Sequence, residues 1–110
     1  MNENIRLQPS KLWNSDQSWF FESLWMIEKR VVRIHIRRNA YNEQSYEQVY
    51  LFDGDKWNLI VNLPISQSFE KIHYTHKELS SSQEQIFYDT EKILIETIST
   101  ILFNHDRNSN

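Results

Sequence analysis

The sequence predicts an α+β domain in which an antiparallel β-meander of four or five strands is packed on one face by a long C-terminal α-helix. Two patterns support this prediction. Apolar and polar residues alternate with period two in several segments between residues 32 and 63, and a helical apolar period runs from residue 80 to about residue 103. The 110 residues suit one domain, whose ordered core we expect over about residues 11–103, between polar, frayed termini.

The clearest strand covers residues 32–37, where Val or Ile at even positions alternates with Arg or His at odd positions. Residues 19–30 fit either a helix or a strand. The spacing of their aromatic residues favours a strand, although residues 28–30 then form an atypical turn. Residues 69–79 are the candidate for a fifth strand. The meander is therefore built around the strand at residues 32–37.

Two further strands, residues 46–52 and 56–63, flank an Asp-Gly turn signal. A two-residue loop would pair Leu51 with Lys56 and mix apolar with polar side chains. A three-residue loop formed by residues 52–54, with Gly54 in the left-handed region, separates the apolar side chains from the polar ones on the two faces of the hairpin. We therefore expect six apolar side chains on one face: Val49, Leu51, Trp57, Leu59, Val61 and Leu63.

The C-terminal helix is predicted to begin at a capping box formed by Ser81 and Glu84. Its predicted core positions are Phe87, Leu94, Ile98 and Ile101, and an acidic face carries Glu84, Asp89, Glu91 and Glu96. The apolar arc is wider than the ~100° stripe of an ordinary surface helix. Either other parts of the chain cover its flanks, or a second copy packs there as a homodimer.

The composition excludes several functional classes. One glycine cannot build a phosphate-cradling loop or a strained nucleophile elbow, and the absence of cysteine excludes disulfides and thiolate chemistry. The net charge of −3 argues against a dedicated nucleic-acid-binding protein. The chain contains no run of ~18 apolar residues and no secretory signal, so we expect a cytoplasmic protein that does not contact a membrane.

Three short patterns could indicate a metal site or catalysis, and each has a simpler explanation. His73 and His76 converge on a metal only if they lie on a helix. The Arg30-x4-His35 spacing of a class of helical ribonucleases falls in a strand pattern, which places the two side chains on opposite faces. Residues 53–55 resemble the start of a calcium loop that lacks its closing Glu. We therefore expect no metal, no cofactor and no catalytic site.

A basic and aromatic face of the sheet is the predicted binding surface. Its candidate partner-binding residues are Arg33, His35, Arg37, Arg38, Tyr46, Tyr50 and Phe52. Tyr, Phe and Arg are residue types that anchor protein interfaces. The leading hypothesis is a non-enzymatic module that docks on a partner protein, such as a phage- or plasmid-type inhibitor or adaptor. The alternative is a single-stranded nucleic-acid-binding domain that uses the same face. A nuclease that uses His35 is a third, weaker hypothesis.

Overall fold

Five antiparallel strands follow one another across a single sheet in the order β1-β2-β3-β4-β5, and one helix follows them. A computed structural model describes residues 4–15, 18–39, 45–65 and 78–108. The elements are β1 (Ile5–Ser15), β2 (Ser18–Ile27), β3 (Arg30–Asn39), β4 (Ser45–Phe52), β5 (Trp57–Ile65) and α1 (Ser81–Asn108). The predicted α+β meander with a C-terminal helix is confirmed.

The core lies between α1 and the two central strands, β2 and β3. The rings of Phe21 on β2 and Phe87 on α1 stack with centroids 5.9 Å apart. The buried apolar residues are Phe21, Ile27, Val32, Ile34, Ile36, Val49, Phe87, Leu94, Ile95, Ile98 and Leu102. Phe21 and Ile27 belong to β2, so the segment whose aromatic spacing favoured a strand over a helix is a strand.

The two-residue turn that joins β2 to β3 has an unusual backbone. Ile27 pairs with Arg30, and Glu28 and Lys29 between them have φ angles of 49° and 66°. Positive φ at both central residues is the geometry of a type I′ turn, which matches the twist of the flanking strands but favours Asn and Gly. Glu28 and Lys29 are neither Asn nor Gly, so this turn is atypical in sequence although its backbone geometry is a common one.

The first strand was not expected, because residues 1–10 carry no period-two pattern. β1 begins at Ile5 and pairs with β2, with register shifts between Arg6 and Gln8 and between Gln8 and Lys11. Pro9 lies in the second irregular stretch. Proline is tolerated at an edge strand or a bulge because it has no N–H to donate. The bulges interrupt the alternation that would have revealed the strand.

The helix begins at Ser81, within the serine run where its start was predicted, and it ends at Asn108, later than the predicted end near Phe103. The Gln83 amide donates to Ser80 Oγ over 3.2 Å, and the Ser80 amide donates to Gln83 Oε1 over 2.9 Å. This reciprocal pair is a capping box that satisfies two backbone donors. The predicted box of Ser81 and Glu84 is therefore wrong by one position, since three consecutive serines offer the same motif at neighbouring registers.

The buried face of α1 differs from the predicted one at two positions. Ile101, expected in the core, is 51% exposed, whereas Glu91, expected on the solvated acidic face, is 3% exposed. Glu91 is buried because Arg6 of β1 binds its carboxylate through two hydrogen bonds of 2.9 and 3.1 Å. Trp25 Nε1 also donates to Glu91, over 3.3 Å. The buried face is therefore rotated toward β1.

The turn between β4 and β5 has four residues rather than the three predicted. Phe52 pairs with Trp57, and Leu51 pairs with Asn58, so the loop comprises residues 53–56. The Asp53 carboxylate accepts hydrogen bonds from the Lys56 and Asp55 amides and from the Asn58 side chain, which lower the pKa of Asp53. Gly54 occupies the left-handed region, at φ 97°, as expected.

A bulge in β5 divides its apolar residues between the two faces of the sheet. Val49 pairs with Val61, but the adjacent Tyr50 pairs with Leu59, which leaves Ile60 as the extra residue. Cross-strand partners share a face, so Val61 lies on the helix side while Leu59 lies on the opposite side. Trp57 pairs with Phe52 and is likewise on the opposite side. The prediction that Trp57 and Leu59 belong to the core is wrong.

The predicted strand at residues 69–79 lies outside the described residues except for Glu78 and Leu79, which precede the helix without strand structure. His73 and His76 also lie outside them. Leu79 packs against the edge of the core. The fifth strand of the sheet is thus β1, at the other end of the chain.

Candidate interaction surface

The side of the sheet that faces away from α1 is the open face. Alternation along β3 places Val32, Ile34 and Ile36 against the helix and the odd-numbered residues on the open face. The register with β4 then brings together six of the seven predicted residues: Arg33, His35, Arg37, Tyr46, Tyr50 and Phe52. Their shared position follows from strand parity.

Arg38 is the exception among the predicted residues. It is 2% exposed and lies on the helix side of the sheet, because position 38 has the same parity as the buried Ile36. Its Nη2 donates to Glu47 Oε2 over 2.9 Å. A buried, paired guanidinium cannot reach a partner from the open face, so Arg38 is removed from the candidate surface.

A row of four aromatic rings in contact crosses the open face from β1 to β4. Trp13 and Phe20 are parallel within 14°, with centroids 5.4 Å apart, and Phe20 lies 5.8 Å from His35. His35 stacks on Tyr46 at 5.6 Å. Aromatic pairs at such distances contribute about 0.5–1.5 kcal/mol beyond the area they bury. The row therefore stiffens the middle of the surface.

His35 is also the centre of a polar chain. Its Nδ1 donates to Glu22 Oε2 over 2.9 Å, and its Nε2 lies 3.1 Å from the Tyr46 hydroxyl. Burial raises the pKa of Tyr46; Arg37 opposes the shift, while Tyr50 and Glu22 add to it. The phenol accordingly stays protonated at neutral pH. The chain therefore connects β2, β3 and β4 through side-chain hydrogen bonds.

Arg33 is held between two aromatic rings near the turn end of the open face. Its guanidinium carbon lies 4.5 Å from the Tyr50 ring centroid and 5.1 Å from that of Trp57. The Tyr50 hydroxyl donates to Gln48 Oε1 over 2.8 Å, and Phe52 contacts Trp57 with centroids 5.1 Å apart. The rings are thus fixed in turn by their own neighbours, so the position of Arg33 is well defined.

A cavity of about 190 Å³ opens beside Arg33. It is lined from both edges of the sheet, by Gln8 and Lys11 of β1 and by Trp57 of β5. Trp57 reaches the cavity from β5 because its ring lies across the sheet toward Arg33, whose guanidinium carbon is 5.1 Å from the ring centroid. We call this cavity the Arg33 pocket.

The cations of the open face differ from those on the helix side. Arg6 and Arg38 each form an ion pair with a glutamate at 2.9 Å. Within the described part of the chain, Lys11, Arg33 and Arg37 have no carboxylate partner. Arg37 donates instead to Ser18 Oγ over 3.1 Å and lies 5.5 Å from the Phe20 ring. The open face thus carries uncompensated positive charge on a protein whose net charge is −3.

The open-face residues that the sequence analysis missed include Lys11, Trp13, Phe20, Glu22 and Trp57. The parity of β2 could have identified Phe20 and Glu22, since both alternate with the apolar face predicted for that strand. No sequence signal identifies the other three residues, because bulges in β1 and β5 decide their faces.

The other candidate sites gain no geometric support. Arg30 and His35 are five residues apart in β3. Because this separation is odd, their side chains point to opposite faces of the sheet, as predicted. Among the residues that the structure describes, no group of three or more His, Cys, Asp or Glu side chains could hold a metal ion. Within the same ranges, no helix combines the length and the apolar character needed to cross a membrane.

Comparison with known proteins finds no matching family model, no similar curated protein and no similar solved structure.

Proposed function

We propose that the protein is a small non-enzymatic interaction module that docks a partner protein on its open face. The observation that carries the proposal is the arrangement around Arg33, a cation fixed between Tyr50 and Trp57 at the rim of a concave pocket. Interface hot spots are enriched in Tyr, Trp and Arg, and they cluster at well-packed pockets that exclude water. The same residue types in a fixed arrangement lower the entropy lost on binding.

A docking function fits this surface better than catalysis does. Burial raises the pKa of Tyr46, which disfavours its phenolate, and the chain of Glu22, His35 and Tyr46 ties each of these side chains to a neighbour within the sheet. These bonds have the geometry of a structural link between three neighbouring strands.

Single-stranded nucleic acid is the competing ligand. Such strands are bound by rings whose faces are free for bases and by a basic groove that follows the phosphates. Here Trp13 stacks on Phe20, Phe20 contacts His35 in a tilted arrangement, and the Tyr50 ring is covered by Arg33. A protein surface with shaped side chains is the better match.

The test is capture of a partner by the tagged protein from its native cells, followed by reconstitution with the purified partner. We expect a complex of fixed stoichiometry whose affinity falls at least about thirtyfold in Tyr50→Ala, the effect of a hot spot of ~2 kcal/mol. Phe103→Ala is the matched control, because it removes an exposed ring on α1, and we expect its affinity to be unchanged. Equal losses in both variants would refute docking through the open face.

Salt dependence separates the two ligand classes. Protein docking through a pocket predicts a modest loss of affinity between 50 and 200 mM salt, whereas phosphate contacts predict a steep loss. Binding of a labelled oligonucleotide with such a steep slope, abolished by Tyr50→Ala, would replace the protein-docking function with the nucleic-acid alternative.

A further inference from the structure

We propose that the partner presents an acidic segment, and that Arg33 and Arg37 receive two of its carboxylate side chains. This inference rests on the proposed docking function and names the chemistry of the partner. It follows from the charges that the fold leaves uncompensated on the open face.

The first step concerns Arg33 itself. Its Nε is buried and has no hydrogen-bond partner, and the interactions of its guanidinium in the described structure are those with Tyr50 and Trp57. Rings orient a guanidinium without using its N–H donors, which leaves the terminal nitrogens available for a carboxylate. Arg33 is therefore positioned and partly buried, yet it has no carboxylate partner among the described residues.

The second step concerns space. The Arg33 pocket measures about 190 Å³, the volume of about six water molecules, and that is enough for the end of an Asp or Glu side chain. Lys11 also lines the pocket and adds a second positive charge. Glu22 also lines the pocket, but its carboxylate is already hydrogen-bonded to His35. The pocket therefore favours an incoming anion over a cation.

The third step concerns spacing. Arg33 and Arg37 lie on the same face of β3, four residues apart, which corresponds to about 13 Å along a strand. An extended segment with carboxylates four residues apart would reach both guanidinium groups. Ser18 and the Phe20 ring hold Arg37 as the two rings hold Arg33. Two positioned cations at this distance match an acidic peptide better than a single bound ion.

Poly-L-glutamate of about 20 residues is the probe, with oligo-dT of the same length as the competing polyanion and poly-L-lysine as the opposite charge. Binding is measured by calorimetry at 50 mM salt, and circular dichroism and thermal unfolding verify that each variant is folded. We expect poly-L-glutamate to bind more tightly than oligo-dT, and poly-L-lysine not to bind to the open face.

The variants test the two arginines directly. We expect Arg33→Gln and Arg37→Gln each to weaken poly-L-glutamate binding by about tenfold or more, the usual effect of losing a charge-assisted hydrogen bond. Arg33→Lys keeps the charge but not the planar donors, so we expect an intermediate loss. Lys92→Gln removes one exposed positive charge from α1 and is the matched control, with a change of less than twofold.

Three outcomes would overturn the inference: no binding of poly-L-glutamate, tighter binding of oligo-dT, or an equal loss in Lys92→Gln and Arg33→Gln. Its failure can be distinguished from failure of the docking function. A purified partner that still binds Arg33→Gln and Arg37→Gln with unchanged affinity, yet loses affinity for Tyr50→Ala, would leave the docking surface in place and remove the acidic segment.

Discussion

Glu91 is a buried carboxylate in the middle of α1 whose charge is balanced from the edge of the sheet. Its side chain is 4% exposed, whereas that of its partner Arg6 is 33% exposed. The two partners of this ion pair therefore differ in their access to water. Without Glu91, the Arg6 guanidinium could return to water; without Arg6, the Glu91 carboxylate would remain buried with the Trp25 indole N–H as its donor.

This asymmetry predicts the effect of Arg6→Met. We expect a loss of about 2–3 kcal/mol in the free energy of unfolding, somewhat below the 3–5 kcal/mol of a fully buried pair because Arg6 is partly solvated. The double variant Arg6→Met with Glu91→Leu should recover most of the loss, since it removes the stranded charge. Urea denaturation measures both values.

Lys11→Met is the control for this prediction. It removes a cation from the same strand, but that cation has no carboxylate partner among the described residues, so we expect a change within ~0.5 kcal/mol. A double variant as unstable as Arg6→Met alone would show that the helix is held to β1 by packing rather than by the ion pair.

Individual residues were predictable where strand parity decides their environment. The parity of β3 is enough to place Arg33, His35 and Arg37 on one face and Arg38 on the other. The helical period of α1 is less decisive, because its apolar arc is wide and would allow the helix to pack on the sheet in several rotations about its axis. Glu91 and Ile101 exchanged their expected environments for this reason. A distant arginine on β1 favours one rotation, and no local pattern reveals it.

At the scale of elements, the β2–β3 turn stores local strain. Lys29 is exposed and adopts φ 66°, a region where a side chain costs about 1 kcal/mol and glycine costs nothing. We therefore expect Lys29→Gly to raise the free energy of unfolding by about 0.5–1 kcal/mol, measured by urea denaturation. Lys11→Gly makes the same change in an extended strand and should lower it by a similar amount. A decrease in both variants would contradict the type I′ geometry.

Whole elements were predictable when their alternation is unbroken. Residues 32–37 and 46–52 read directly as strands, and the Asp-Gly signal located the last hairpin. β1 and the face of Trp57 were not predictable, since a bulge changes the period that a pattern search relies on. The open face was thus foreseen at β3 and β4, while its contributions from both edge strands came only from the structure.

At the scale of the molecule, stability is concentrated at the centre of the sheet. α1 packs on β2 and β3, whereas β1 and β5 are the edges. We expect hydrogen-bonded amides of β3 such as Ile34 and Ile36 to exchange with solvent at least about 100-fold more slowly than those of β5, because edge strands open without disrupting the core. Hydrogen exchange followed by NMR measures this. Uniform protection across the five strands would contradict it.

The charge distribution of the molecule separates its two sides. The open face carries Lys11, Arg33 and Arg37, while the exposed side of α1 carries the acidic residues Asp89 and Glu96.

Ile93 and Ile101 are also exposed on α1, and none of the described residues covers them. The homodimer stays a prediction, for which light scattering would report twice the 13.4 kDa mass of one chain.

The bulge at Ile60 has a consequence for how the length of this chain could vary during evolution. On both sides of it the β4–β5 pairing is regular, so Ile60 is the one residue of the strand without a cross-strand partner. Deleting it would join two regular ladders and leave every other side chain on its present face. An insertion or deletion elsewhere in β5 would reverse the faces of its neighbours. This hairpin therefore contains one site where a change in length is compatible with an unchanged surface.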